Sequence, residues 1–221
     1  MSAPTLPAMR IKNRWFQRDG APDAGPKTAA EQASAMAFIV WRVGHNMLKR
    51  MRGADFAIDA GRPYFDFMRE GLVFLIALAD RIAFERLSPE DRNEFTVALV
   101  RHVARILQEN EDELLGPAPA GAPSHGDTFI DLVNEVVGHY AEFGADPQPP
   151  AGVTVFHPDF AFLRYLGTRL APTVPEAERR WVLDQVMAIE APEAVGIVQR
   201  SMRELFDPAP RRERRAAQTG E

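Results

Sequence analysis

Residues 88–116, SPEDRNEFTVALVRHVARILQENEDELLG, decide the fold class. Ser88 offers a side-chain oxygen to the unpaired N–H groups of a helix start. Pro89 stands in the first turn, where its missing donor costs nothing, and Glu90 and Asp91 lie at the positive end of the helix dipole. Phe95, Leu99, Val103, Ile106, Leu107 and Leu114 then recur along one helical face, and Gly116 closes the segment. His102 sits at the edge of that stripe and reads as a hydrogen-bonded boundary residue. The segment is an amphipathic helix with its ends written into the sequence.

The pattern repeats on either side. Thr28 with Glu31 three positions later is a capping box, and Met36, Val40, Val43, Met47 and Met51 follow on one face as far as Gly53. Pro63 marks the first turn of a second helix that runs to about Leu87. Its Leu72–Ala79 run is apolar all round, which places it in the middle of a bundle. That run is far shorter than the roughly 20 apolar residues needed to cross a bilayer. After Gly116, the connection GPAPAGAPSHG leads to a fourth helix over about 127–143, closed by Gly144. A Pro-rich stretch over 145–157 follows, with Val153–Phe156 briefly extended. Pro158, Pro175 and Pro192 each stand where a helix would begin, predicting three shorter helices near 158–171, 175–190 and 192–206; Thr173 and Glu176 form a second capping box. The expected architecture is all-α: a single bundle of long antiparallel helices with a set of shorter C-terminal helices, over residues 28–206. An irregular basic arm, 1–27, precedes it, and a basic tail, 207–221, expected to be disordered, follows.

Composition narrows the chemistry. The chain of 221 residues has no cysteine, which excludes disulfides, thiolate metal sites and a cysteine nucleophile. Arginine greatly outnumbers lysine, as in proteins of GC-rich bacteria, and no apolar segment follows a positive cluster near Met1. These features give the expectation of a cytoplasmic bacterial protein. Charge is unevenly spread: residues 1–52 hold nine Lys/Arg and three Asp/Glu, whereas residues 53–205 hold thirteen and twenty-five. A basic front on an acidic body suits an anionic partner or an arm that folds back onto its own domain; the second is the expectation, because no compact basic run of the kind that nucleic-acid binding needs is present.

Catalytic motifs are missing. The chain contains no Gly-x-Ser-x-Gly, no Gly-rich phosphate loop and no Glu-x-x-His pair. The nearest approach to a metal site is Asp131, Glu135 and His139 on the fourth helix. Helical geometry sets the two acids opposite the Phe129–Val133–Val136–Tyr140 face, so a solvent face is the simpler account. A pocket between helices, with Asp80, Glu85 and His102 as polar groups, is the way this chain would act as an enzyme or ligand carrier. No cofactor is indicated.

Two features point toward recognition. On the first helix, Phe38, Trp41, His45, Leu48 and Arg52 form a second face away from the Met36–Met51 stripe, and these residue types are frequent in interface cores. That face is either covered within the chain or met by another protein, including a second copy in a homodimer. In the arm, Arg10, Lys12, Arg14, Trp15 and Arg18 interleave charge with an aromatic ring, a pattern that serves docking onto the bundle or stacking on single-stranded nucleic acid. The first functional expectation is a non-enzymatic helical module that works by protein–protein contact. The ends lack an apolar face, so removing residues 1–8 and 208–221 should move the thermal midpoint by no more than about 2 °C in a calorimetric melt.

Overall fold

The computed structural model describes residues 28–207, and within them the protein is all-α. Seven α-helices follow in order: α1 (Ala29–Gly53), α2 (Arg62–Phe84), α3 (Pro89–Leu115), α4 (His125–Glu142), α5 (Phe160–Leu170), α6 (Arg179–Gln185) and α7 (Ala191–Phe206). Two 3₁₀ turns lie between α5 and α6, and a π-helical turn over Val186–Glu190 joins α6 to α7. The basic arm and all but the first residue of the tail lie outside the described residues. No described helix is long and apolar enough to cross a membrane.

The helix starts follow local chemistry. Thr28 Oγ1 accepts from the Glu31 N–H at 3.2 Å while Glu31 accepts from the Thr28 N–H at 3.0 Å, completing the predicted capping box. Ser88 caps α3 and Ser124 caps α4 in the same way, each accepting from an N–H three residues on. α5 begins after Asp159, whose carboxylate accepts from the Phe162 N–H at 2.8 Å, two residues later than the proline signal placed it.

α1 ends at Gly53, where its spacing placed the end, and the left-handed residue that follows is Asp55, with φ 65°. Aspartate tolerates that conformation better than most side chains, because its short polar group hydrogen-bonds locally. Thr173 makes no capping box with Glu176. Its hydroxyl donates to the Leu170 carbonyl at 2.7 Å, and the chain turns through two 3₁₀ segments instead. Pro192 stands in the first turn of α7, as expected, and α7 follows directly on the π-helical turn. Proline has no N–H for the carbonyl four residues back, and its ring crowds that carbonyl. Here the helix widens just before the proline, the Ala191 N–H reaching the Val186 carbonyl five residues back, and then continues without a break from Arg179 to Phe206. The Val153–Phe156 stretch forms no strand; nearby, Ala145 and Pro158 make an isolated antiparallel bridge.

α2 is the axis of the molecule. Every residue from Gly71 to Asp80 is buried, and α2 packs against α1, α3, α4, α5 and α7. Around it, α3 presents Phe95, Leu99, Val103 and Leu107, all fully buried. Beyond Leu107 the buried edge passes to Glu111 rather than to Leu114, which is 53% exposed. α1 lies beside α2, α3 and α7. Gln32 near its start donates to the Leu205 carbonyl at the end of α7, and Arg50 near its end meets Glu190, just before α7. The two helices therefore run in opposite directions, and both described termini lie at one end of the molecule.

That arrangement covers both faces of α1. Met36, Val40, Met47 and Met51 are fully buried, and from the second face Trp41 and Leu48 are also enclosed within the chain, Trp41 at 4% exposure. Truncating Trp41 to alanine removes a large side chain from a packed interior. Trp41→Ala should cost about 3–5 kcal/mol in urea unfolding, without a change of oligomeric state in sedimentation.

Candidate functional site

The residues singled out on the sequence are not gathered into one place. Asp131, Glu135 and His139 all lie exposed on α4, the His139 ring tilted against Tyr165 at 6.1 Å between centroids. Among the described residues no three His, Asp or Glu side chains converge in a way that would hold a metal ion. The second face of α1 divides. Trp41 and Leu48 are buried within the chain, Phe38 and His45 are half-buried, and Arg52 is exposed. Of the two accounts of that face, cover from within the chain describes Trp41 and Leu48, because α1 lies against three helices. His45 Nδ1 lies 3.0 Å from the Tyr64 hydroxyl. Burial, helped by Lys49, lowers the imidazole pKa, and burial pushes the phenol up to about 12, so both groups are neutral at pH 7. Arg10, Lys12, Arg14, Trp15 and Arg18 lie outside the described residues.

The polar groups proposed for a pocket between helices are also committed elsewhere. Asp80 receives Arg92 in a two-pronged pair and the Thr96 hydroxyl at 2.6 Å. Glu85 accepts from the Phe156 N–H at 2.7 Å, and His102 lies beside Arg105 on the same helix. Each of these groups joins neighbouring elements or neighbouring turns; they do not converge.

A groove of about 510 Å³ opens where the end of α1 meets α6. Ala54, Asp55 and Phe56 form one side; Glu178, Trp181, Asp184, Gln185 and Ala188 form the other. Phe56 is nearly buried and supplies apolar floor, whereas Trp181 is 54% exposed and Ile189, next to Ala188, is 46% exposed. The guanidinium of Arg180 stacks on the Trp181 ring at 4.7 Å, so this indole already accepts a cation on its π surface. The lining contains three carboxylates, Asp55, Glu178 and Asp184, and no basic side chain, hydroxyl or imidazole.

The groove is held by specific contacts. Glu178 accepts from the Ala57 N–H at 2.9 Å, fastening the start of α6 to the loop after α1. Glu190, fully buried at the end of the π-helical turn, pairs with Arg50 at 2.9 Å and accepts from Gln185 at 3.1 Å. Glu190, the last residue of the widened turn before Pro192, therefore ties the end of α6 to α1 through Gln185 and Arg50. Along α6 and the π-helical turn, Val182 and Val186 are buried one turn apart, while Trp181, Asp184 and Ala188 are exposed. Trp181 was not singled out on the sequence; the signal for it is a tryptophan that stands off the Val182–Val186 stripe. The partner wall, contributed by residues more than 120 positions earlier, has no such signal.

No known protein family, curated protein or solved structure matches the chain.

A second polar cluster lies between α2, α3 and α4. Glu111, fully buried, pairs with Arg69, which also holds Asp66 at 3.0 Å; the two nitrogens of His125 lie 3.9 Å from Glu111 and 3.8 Å from Asp112. Burial raises the Glu111 pKa, and the opposing pull of Arg69 and His125 does not cancel it. The folded protein then holds this proton to higher pH than the unfolded chain. The stability gained is complete below the ordinary carboxyl value of 4.5 and is lost as pH rises through the raised native value. Urea unfolding between pH 4 and 7 should show stability falling more steeply across that window in the native protein than in Glu111→Gln, which cannot release the proton.

Proposed function

We propose that this protein is a non-enzymatic helical module that binds a protein partner, and that the Trp181 groove receives a cationic segment of that partner. One observation carries the reading: a half-exposed tryptophan stands over an apolar floor inside a rim of three carboxylates. Exposed tryptophan beside an apolar depression is unusual on a surface without a binding role, and tryptophan is among the side chains that dominate binding energy at interfaces. The carboxylates select positive charge and accelerate encounter, while the half-exposed indole, which already carries Arg180 on its ring, offers aromatic contact surface. The lining supplies recognition chemistry and no nucleophile.

The groove is open and modest in volume, which suits a short extended segment or a few side chains from a larger partner better than an enclosed small molecule. The affinity expected of such a contact is moderate and dependent on salt, because rim charges are screened at physiological ionic strength.

A fluorescein-labelled Arg/Ala decapeptide with one central tryptophan should bind the full chain at low salt, measured by anisotropy. Its Glu-for-Arg counterpart should not. Trp181→Ala and Asp184→Lys should each weaken binding by about tenfold, roughly the effect of losing one favourable contact of about 1.4 kcal/mol. Both positions are exposed, so the variants should retain native stability within about 0.5 kcal/mol. Binding that ignores both substitutions would overturn the assignment.

A further inference from the structure

We propose that the outer seam between α1 and α3 is a second recognition surface, which docks a short acidic segment of a partner protein on Arg42, Lys49 and Arg52 of α1 and Arg105 of α3. It shares no residue with the Trp181 groove and stands independently of it.

Position is the first argument. α1 packs along α3, and the two run in the same direction. The end of α7 meets both near their starts, through the Gln32–Leu205 bond on α1 and the stacking of Phe206 on Phe95 of α3 at 5.8 Å. Arg42 stands ten residues beyond Gln32, and Arg105 ten beyond Phe95, so the two lie at about the same height along the pair. On α1, Trp41 and Leu48 are buried, while Arg42, Lys49 and Arg52 are exposed, with the half-buried His45 between the two groups at 100° per residue. On α3, Arg92 and Thr96 are turned to Asp80 of α2, and Gln108 lies against Gly126 of α4. The half-buried His102 and the exposed Arg105 then fall on the flank toward α1, with Arg101 one turn before Arg105.

Charge is the second. Residues 28–207 hold seventeen Lys/Arg against twenty-seven Asp/Glu, so carboxylates are in excess. Arg50, Arg69, Arg86, Arg92 and Arg169 each hold one. Among the described residues, Arg42, Lys49, Arg52 and Arg101 form no ion pair, and Arg105 reaches only His102, at 3.3 Å. α1 has no acid after Glu31, and α3 has none between Glu94 and Glu109. An acidic chain thus leaves positive charge unneutralised along one seam. Burial lowers the pKa of both seam histidines, helped by Lys49 at His45 and by Arg105 at His102. A guanidinium only donates, so His102 Nδ1 accepts from Arg105 and Nε2 carries the proton, a neutral donor beside the cations.

The surroundings select the partner. Trp41 is buried, and the exposed rings Phe84, Phe160 and Trp181 stand on other helices. The seam therefore has no platform on which bases stack and no apolar side chain to enter a bilayer. The acidic body repels a long polyanion, whereas a few carboxylates on a short segment pair locally. Arg42 to Arg52 spans about 15 Å along α1, the length of about five residues of extended chain.

The test uses the full chain and a fluorescein-labelled decapeptide of alternating Glu and Ala, followed by anisotropy. Binding at low salt should weaken at least about tenfold in 0.5 M NaCl. Arg42→Glu and Arg105→Glu should each weaken it about tenfold, and Glu109→Gln should strengthen it about threefold. Arg164→Glu makes the same change of net charge on α5 and should alter binding less than about twofold. All four positions are exposed, so thermal melts should match the native chain. A photoreactive benzoylphenylalanine at the centre of the peptide should give adducts that peptide mass assigns to α1 or α3. Equal weakening by Arg164→Glu, or adducts confined to residues 1–27 and 208–221, would overturn the seam assignment. A ten-residue oligothymidylate that binds more tightly than the peptide, and loses that binding in Arg105→Glu, would replace the acidic protein segment by nucleic acid and overturn the proposal as stated. Trp181→Ala should leave binding of the acidic peptide unchanged, so failure here leaves the groove assignment standing.

Discussion

The structure depends on one constraint: the middle of α2 cannot touch water on any side. Residues 71–80 are all buried, so the helix must be surrounded, and five other helices supply the walls. Burial of such a run is the dominant favourable term in folding, but it is non-directional and does not say which neighbour goes where. Polar residues on α2 supply that information. Arg69 pairs with Glu111 and Asp80 with Arg92 and Thr96, both joining α2 to α3. Glu70 holds Arg169 of α5 through two hydrogen bonds at 2.8 and 2.6 Å. Arg81 donates to the carbonyls of Ala141 and Phe143 at the end of α4 and stacks on Phe156 at 4.6 Å, and Glu85 accepts from the Phe156 N–H.

The charges around this axis are weighed differently from those on the surface. A partly buried pair gains little net stability over an apolar substitute, yet removing one partner strands the other and costs about 3–5 kcal/mol. Such pairs penalise a helix docked one turn out of place more than they reward the correct one. The same holds for Arg50 and Glu190, which fix α7 alongside α1 and, through Gln185, the orientation of α6. The widened turn before Pro192 ends on Glu190 in the core, while Trp181, on the helix that leads into it, is half-exposed.

A recognition surface on such a scaffold needs little specialised chemistry. The interior side chains are committed to packing and pairing, and the candidate surface forms where two elements meet imperfectly, at the left-handed Asp55 and the irregular entry to α6.

Much of the fold was legible in the linear chain, because helix signals are local. The capping oxygens of Thr28 and Ser88, the prolines in first turns and the three-to-four spacing of Phe95, Leu99, Val103 and Leu107 act over one or two turns of the same helix. The all-round apolar Leu72–Ala79 run marked α2 as central for the same reason. A signal that depends on competition between local options was less reliable: Thr173 bonds its own preceding turn instead of capping. What only the tertiary structure decided is which faces meet. The second face of α1 has one sequence pattern whether it is covered from within or from outside, and only docking against α2, α3 and α7 shows that Trp41 and Leu48 are internal. Likewise Trp181 is an isolated aromatic in the chain, and it becomes part of a groove only when folding brings Asp55 and Phe56 beside it. Local hydrogen bonds and periodicity are properties of a segment; a surface is a property of segments far apart in sequence, and no single one of them carries it.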